Sequence, residues 1–146
     1  MRLSTKSRYG TRAMLDIAIN YGKGPVSVKS LADRQGISVK YMEQRIPLLK
    51  VAGLIRSVRG AGGGYTLSKD VRRINLRDII DALEGSMFPV DCVDNPEICD
   101  RTKKCATYEI WKDIQDTINN MLDSLTLADM VERQLKINST KPLSEK

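Results

Sequence analysis

The chain has 146 residues, of which 41% are hydrophobic and 29% charged, and a formal net charge of +6. Residues 1–75 contain 15 Lys and Arg against 4 Asp and Glu, whereas the remaining residues contain 9 against 14. The positive surplus of the first half predicts an encounter with a polyanion. Because the chain has no histidine, Ser-His-Asp and Cys-His catalytic groups, the HExxH zinc helix and histidine-ligated haem are excluded. We expect a protein that is not an enzyme.

The first half of the chain predicts three helices. The first covers about residues 5–21, where apolar side chains recur at helical spacing. The segments 27–35 and 38–52 each open with a serine, a favoured N-cap, and Gly36 lies between them. Two short helices joined by a glycine-containing turn are typical of a helix-turn-helix. Pro47 lies inside the third helix, where we expect a kink or a tighter final turn rather than two separate elements.

A β-hairpin is predicted directly after the third helix. Residues 54–58 and 65–68 are strand-like, and a glycine-rich run, 59–64, separates them. This run is not a Walker phosphate loop, because it lacks the following Lys-Ser/Thr and leads into a strand. A hairpin after a recognition helix is a wing. The predicted fold is therefore mainly α with a small β-hairpin wing: a winged helix-turn-helix in residues 1–85, followed by a long C-terminal helix.

The second half of the chain contains further helices around an irregular segment. A capping box at Asn75 opens a helix over residues 76–84. Residues 86–106 show no sustained period and are expected to form a cysteine-containing loop. Residues 107–135 are expected to form dimerisation helices, since an apolar stripe runs along 107–125 and a second capping box follows at 126. Residues 136–146 are expected to be a disordered tail.

The N-terminus shows no apolar signal segment, and no apolar run approaches the ~20 residues of a membrane span. We therefore predict a cytoplasmic protein that does not interact with membranes. In that reducing compartment thiols stay free or bind metal.

The predicted partner is double-stranded DNA with a palindromic operator, bound by a homodimer. Side chains near the start of a recognition helix reach base edges in the major groove, and an arginine on a wing can enter the minor groove. The alternative is that these two helices are an ordinary pair whose polar face is solvated and does not bind DNA. The candidate DNA-binding residues are Arg2, Ser4 and Lys6 at the N-terminus, Ser38, Lys40, Tyr41, Glu43 and Gln44 on the third helix, and Arg59 and Gly60 in the wing.

The three cysteines, Cys92, Cys99 and Cys105, are the candidate metal ligands. They are separated by six and five residues, and thiolates bind zinc, copper(I) and iron–sulfur clusters. A structural zinc site more often contains a Cys-x2–4-Cys pair. The spacing alone leaves three possibilities open: zinc, a cluster, or three reduced thiols without a ligand. A cluster also needs a fourth ligand beyond the three thiolates.

Four stretches of this sequence together resemble the Rrf2 family of bacterial transcription regulators. They are MRLSTKSRYG at the start, YMEQ at 41–44, AGL at 52–54 and SVRGAGGGY at 57–65. The cysteine triplet is similar to that of the cluster-binding branch, the IscR-, NsrR- and RirA-type regulators. The stretches LEG at 83–85 and PV at 89–90 are also similar to the CymR-type cysteine-metabolism repressors, which lack the triplet.

The resemblance implies a homodimeric winged-helix repressor. It implies that Glu43, Gln44 and their neighbours read the major groove, and that Arg59 reads the minor groove. The three cysteines would hold one 2Fe–2S or 4Fe–4S cluster per chain, which would report iron–sulfur supply, redox stress or nitric oxide. The expected target genes serve iron–sulfur assembly or cysteine metabolism. At the two positions that supply a fourth ligand in relatives this chain has Tyr108 and Arg8, so neither ligand carries over.

Two alternatives to this hypothesis use the same residues differently. One is a cluster-free CymR-type repressor controlled by its thiols or by a partner. The other is a redox module that uses the cysteines without binding DNA.

Overall fold

The computed structural model describes residues 2–140, which form a mainly helical fold with one two-stranded antiparallel sheet, as predicted. The elements in chain order are α1 (Thr5–Ile19), α2 (Val28–Gln35), α3 (Val39–Val51), β1 (Ile55–Val58), β2 (Gly64–Leu67), α4 (Leu76–Glu84), α5 (Asp91–Asp94), α6 (Ala106–Ser124) and α7 (Leu127–Thr140). Three short 3-10 turns cover Val71–Arg73, Pro96–Ile98 and Thr102–Lys104.

Local capping confirms the boundaries predicted for the helix-turn-helix. Ser27 Oγ accepts a hydrogen bond from the Ser30 amide, and Ser38 Oγ accepts one from the Tyr41 amide, each at 3.1 Å. Gly36 ends α2 in the left-handed conformation, with φ of 65°. Helix α3 continues as one element through Pro47. The two helices therefore meet at the tight turn that the sequence predicts.

Helix α1 is at the centre of the hydrophobic core. Its side chains Ala13, Met14 and Ile17 are almost completely buried, and α1 packs on α2, α3, α4 and α7. The contact with α4 is especially close, because a Cβ on Gly10 would lie 2.4 Å from Leu83 Cδ1. Glycine at position 10 therefore permits this approach of the two helices.

The C-terminal helices are anchored to the start of α4. The Leu76 amide donates to the Leu125 carbonyl at 2.8 Å, and the Leu127 amide donates to the Ile74 carbonyl at 2.7 Å. Leu127 is fully buried. The predicted capping boxes at Asn75 and Thr126 are both formed. The junction between α6 and α7 is thus fixed to the winged-helix core.

Two predictions about irregular segments need correction. The segment 86–106 was expected to be a loop, but α5 and two 3-10 turns lie within it. At the turn Pro96–Ile98, the Asn95 cap and Pro96 favour a short turn over a continuing helix. The tail was expected to be disordered from residue 136, but α7 continues to Thr140. Its last turn is supported by Ser139 and Thr140 hydroxyls that donate to the Lys136 carbonyl. Residues 141–146 lie outside the described residues.

Within residues 2–140, no helix is both long enough and apolar enough to cross a membrane.

Candidate DNA interface and cysteine segment

The start of α3 presents polar side chains to solvent. Ser38 caps the helix, and Lys40, Glu43 and Gln44 in its first two turns are all exposed. They occupy the part of a recognition helix that reaches base edges. The structure therefore places these four predicted residues on one accessible helix end.

Tyr41, also predicted as a DNA contact, joins α3 to α1. Its ring packs edge-on against Tyr9, with ring centroids 5.7 Å apart, and its hydroxyl lies 3.1 Å from the Thr5 hydroxyl. The Arg45 guanidinium stacks over the same ring at 4.3 Å. The Thr5 hydroxyl, followed by the cation of Arg45, lowers the pKa of Tyr41. Half-buried Tyr41 thus holds the start of α3 against α1.

Further cations surround this aromatic pair. The Arg8 and Arg12 guanidinium groups lie 5.9 and 5.5 Å from the centroid of Tyr9, and both side chains are exposed. Sequence analysis did not identify Tyr9 or Arg12 as part of this surface, and it did not predict that Arg45 stacks on Tyr41. The spacing of Tyr41 and Arg45, one helical turn apart, was the available signal for their pairing.

The wing is hydrogen-bonded to the helix-turn-helix. Strands β1 and β2 pair in register from Ile55–Leu67 to Val58–Gly64. Val26, just before α2, exchanges two backbone hydrogen bonds with Tyr65, at 2.9 and 2.8 Å. The chain passes so close here that a Cβ on Gly64 would lie 2.4 Å from the Val26 carbonyl oxygen. The position of the hairpin is therefore fixed by backbone contacts.

Arg59 and Gly60 lie at the tip of this hairpin. Both are exposed, and the tip is closed by a hydrogen bond from the Gly63 amide to the Gly60 carbonyl at 3.0 Å. The Arg59 side chain can therefore extend beyond the sheet, as the predicted minor-groove contact requires.

The N-terminal residues lie at the start of α1. Arg2 and Lys6 are exposed, whereas Ser4 is half-buried and caps the helix by accepting from the Lys6 amide at 3.1 Å. The hydroxyl and the amide of Ser4 both donate to Glu84 Oε1. The serine predicted as a DNA contact thus has an intramolecular role that links α1 to α4.

The three cysteines lie on separate short turns of segment 86–105. Cys92 is in α5, Cys99 follows the turn Pro96–Ile98, and Cys105 precedes α6. All three are half-buried free thiols. Among residues 2–140, no three His, Cys, Asp or Glu side chains converge in a way that could hold a metal ion. The three thiols therefore share one segment of the chain, but they do not converge on a common point.

Cys105 has the most distinctive environment of the three thiols. The Thr107 hydroxyl, 3.1 Å from Sγ, and then the Tyr108 amide lower the pKa of Cys105. A thiol with a lowered pKa more readily supplies the thiolate that metals bind. An open cavity of about 500 Å³ adjoins this cysteine; it is lined by Asp100, Arg101, Lys104, Cys105, Ala106 and Thr107.

Comparison with known proteins assigns the chain to a family. The sequence profile named Rrf2, described as "Iron-dependent Transcriptional regulator", matches residues 3–133. The chain belongs to the Rrf2 family. Rrf2-family relatives include protein rrf2 of Nitratidesulfovibrio vulgaris, which is 44% identical over 131 residues, covering 90% of this chain and 87% of the relative. The transcriptional regulator IscR of Escherichia coli K12 is 40% identical over 134 residues, covering 92% and 82%.

Solved structures of Rrf2-family regulators share the fold. IscR of T. potens superposes with a TM-score of 0.78 at 40% identity, covering 99% of this chain and 94% of that chain. CymR of B. subtilis, described as the global cysteine regulator, superposes with a TM-score of 0.77 at 38% identity, covering 91% and 98%. This Rrf2-family chain is accordingly a winged-helix transcriptional regulator and not an enzyme, and it is similar to both IscR and CymR.

Helix α6 leaves much of its apolar stripe in solvent. Ile110, Trp111, Ile114 and Met121 are 53%, 38%, 39% and 63% exposed, and only Gln115 is buried in this helix. A shallow apolar depression of about 290 Å³ lies on the same side; it is lined by Ile110, Asp113, Ile114, Thr117 and Ile118. A monomer of this Rrf2-family chain would therefore expose an apolar helix face, which is characteristic of an interaction surface.

Proposed function

We propose that this Rrf2-family regulator is a homodimeric repressor that binds a palindromic operator and responds to an iron–sulfur cluster held by its cysteine segment. The observation that carries the DNA part is the exposure of polar and basic side chains both at the start of α3 and on the wing. Lys40, Glu43, Gln44 and Arg59 are exposed on these two elements, and the Val26–Tyr65 hydrogen bonds attach the wing to the segment before α2. This arrangement offers one helix to the major groove and one arginine to the adjacent minor groove.

Each exposed side chain has a suitable chemical role toward DNA. Gln44 can bind adenine with two hydrogen bonds, Glu43 can accept from cytosine N4, and Lys40 can contact guanine or a phosphate. Arg2 and Lys6 supply positive charge at the start of α1 and are proposed to contact the phosphate backbone. Arg59 and Gly60 are proposed to enter the minor groove together.

The exposed apolar face of α6 supports the proposal of a homodimer. A helix-turn-helix dimer places two recognition helices one helical turn of DNA apart, which requires a fixed connection between the chains. Pairing of two α6 helices would cover Ile110, Trp111, Ile114 and Met121, which the single chain leaves exposed. We therefore propose that α6 pairs with α6 of a second copy.

The donor chemistry of the cysteine segment fits an iron–sulfur cluster. Cys92, Cys99 and Cys105 are free, half-buried and carried on short turns, and thiolates are the usual cluster ligands. We propose that these three cysteines hold one 2Fe–2S or 4Fe–4S cluster per chain. When bound, the cluster would make DNA affinity depend on iron–sulfur supply, redox stress or nitric oxide. The proposed target genes are those of iron–sulfur assembly or cysteine metabolism.

Replacing Arg59 with alanine is expected to weaken operator binding by about 1–3 kcal/mol, because one specific groove contact is lost. Fluorescence anisotropy with a palindromic, A·T-flanked duplex selected from a random library measures the affinity at several salt concentrations. Binding should fall steeply with salt, as phosphate contacts require. Lys112→Ala, which removes one exposed charge from α6, should leave the affinity unchanged. Unaltered binding by Arg59→Ala would show that the wing does not contact the operator.

Anaerobically purified protein is expected to be coloured and to contain iron and acid-labile sulfide, because three thiolates are available in one segment. Metal analysis and a sulfide assay test this directly. Cys92→Ala should lose the colour and the sulfide, whereas Asp94→Ala, in the same short helix, should retain both. Colourless protein that contains zinc and no sulfide would contradict the cluster.

A second candidate function is a cluster-free regulator that is controlled by its thiols or by a partner. It is favoured by the absence, among the described residues, of a converged group of three metal-binding side chains, and by the similarity to CymR. If Cys92→Ala leaves operator binding unchanged under every redox condition, the result would support this second candidate.

A further inference from the structure

Glu84, the last residue of α4, accepts three hydrogen bonds from α1 at one carboxylate oxygen. The donors are the Ser4 amide at 2.9 Å, the Ser7 hydroxyl at 2.8 Å and the Ser4 hydroxyl. About 80 residues separate the donors from the acceptor in sequence. Hydrogen bonds donated to a carboxylate stabilise its ionised form. Accordingly, the Ser4 hydroxyl, together with Ser7, lowers the pKa of Glu84.

These hydrogen bonds fix the first turn of α1 on both sides. Ser4 Oγ also accepts from the Lys6 amide, so Ser4 both caps α1 and binds Glu84. Ser7 is 2% exposed and therefore lies beneath the helix, facing α4. Arg2 and Lys6 are exposed on either side of Ser4. The backbone that carries these two cations is thus attached to α4 through Ser4.

A second contact attaches α1 to α4. Gly10 lies against Leu83, the neighbour of Glu84, with no space for a Cβ between them. The hydrogen bonds at Ser4 and Ser7 and the close approach at Gly10 are therefore two separate points of attachment along the same helix. Loss of the first would release the N-terminal turn while the second keeps α1 in the core.

We propose that Glu84 is a positioning residue for DNA binding, which holds the N-terminal turn of α1 where Arg2 and Lys6 meet the DNA backbone. The inference rests on the proposed binding of DNA by this face. Glu84 itself carries a negative charge and does not contact DNA in this proposal. Its removal would strengthen binding if only its charge mattered, and weaken binding if its hydrogen bonds position the two cations.

The test compares operator affinity and its salt dependence in full-length variants. Glu84→Ala is expected to weaken binding about tenfold and to lower the slope of log affinity against log salt by about 1, since one phosphate contact is lost. Glu84→Gln, which keeps an oxygen acceptor, should restore the affinity to within about threefold of the original protein. Asp33→Ala is the charge-matched control, since Asp33 is an exposed carboxylate on α2. It should leave the affinity unchanged or raise it.

A double-mutant cycle separates positioning from general destabilisation. If Glu84 acts through Lys6, Glu84→Ala should have little further effect in a Lys6→Ala background, because the contact is already absent. A merely structural role predicts additive losses and an unchanged salt slope. Circular dichroism at the assay temperature confirms that each variant is folded. If Glu84→Ala does not fold, Ser7→Ala removes one buried donor and should weaken binding two- to fivefold with the same change in slope.

The outcomes distinguish this inference from the proposed function. If Arg59→Ala weakens binding but Glu84→Ala and Ser7→Ala change neither affinity nor slope, Glu84 is not a positioning residue and the DNA interface stands. If neither the original protein nor any variant binds a duplex, the proposed function is wrong, and the positioning role of Glu84 is wrong with it. An increase in affinity for Glu84→Ala would overturn the positioning role and leave charge repulsion as the effect.

Discussion

Replacing Ile114 with glutamate is expected to convert the proposed α6-paired dimer into monomers. Ile114 lies in the exposed apolar depression of α6, beside Ile110. A carboxylate buried in an apolar helix pair has no partner and loses its hydration, which costs several kcal/mol. The dimer dissociation constant should rise by about 100-fold or more, as 1.4 kcal/mol corresponds to a factor of ten. Sedimentation velocity over a range of protein concentrations measures this change.

The same variant should bind a palindromic operator weakly, because two linked recognition helices gain about 10²- to 10⁴-fold in affinity over separate ones. Binding to an isolated half-site should change little. Asn120→Glu, which adds the same charge at an exposed polar position of α6, is the matched control and should remain dimeric. A dimeric Ile114→Glu would show that α6 does not form the interface.

Replacing Gly64 with alanine is expected to destabilise the protein by about 2–4 kcal/mol through steric overlap and backbone strain. A Cβ at this position would lie 2.4 Å from the Val26 carbonyl oxygen, and φ is +156°. Both partners are backbone, so the overlap is relieved only if the hairpin moves away from α2. Urea denaturation gives the change in stability, and operator affinity should fall because the wing is displaced.

Gly62→Ala provides the control for this experiment. Its Cβ would meet nothing within 4 Å, so stability and operator affinity should remain close to those of the original protein. If Gly64→Ala and Gly62→Ala are equally stable, the Val26–Tyr65 contact does not constrain the wing.

The sequence predicts the winged helix well because its signals are local. Ser27, Ser38 and Asn75 are favoured caps, and each makes the predicted capping hydrogen bond. The short strand-like stretch 54–58 and the glycines of 59–64 likewise indicate a hairpin without knowledge of the rest of the chain. Such elements are determined by contacts within a few residues.

Contacts between distant segments could not be predicted in this way. Tyr41 follows a helix N-cap and was therefore interpreted as a DNA contact, but its hydroxyl meets Thr5 and its ring meets Tyr9 on another helix. Glu84 is an ordinary helix-end residue in sequence, and only the fold brings Ser4 and Ser7 to it. Side-chain pairs of this kind depend on how α1, α3 and α4 pack, which local periodicity does not specify.

The cysteine segment is an intermediate case. Cys92, Cys99 and Cys105 were recognised from residue type and spacing, and they do lie in one segment of short turns. Their relative arrangement depends on the turns at Pro96–Ile98 and Thr102–Lys104, which have too few residues to show a period. The assignment of these cysteines to a cluster remains a prediction that iron and sulfide analysis will decide.

The pair of hydrogen bonds between Val26 and Tyr65 also has a thermodynamic consequence for operator recognition. A glycine-rich hairpin attached only at its two ends would lose conformational entropy when DNA orders it, at about 1–2 kcal/mol per residue. Here strand β2 is already held beside its turn by the backbone of the segment before α2. The turn around Arg59 therefore has less conformational entropy to lose, and the proposed minor-groove contact would carry a smaller entropic cost.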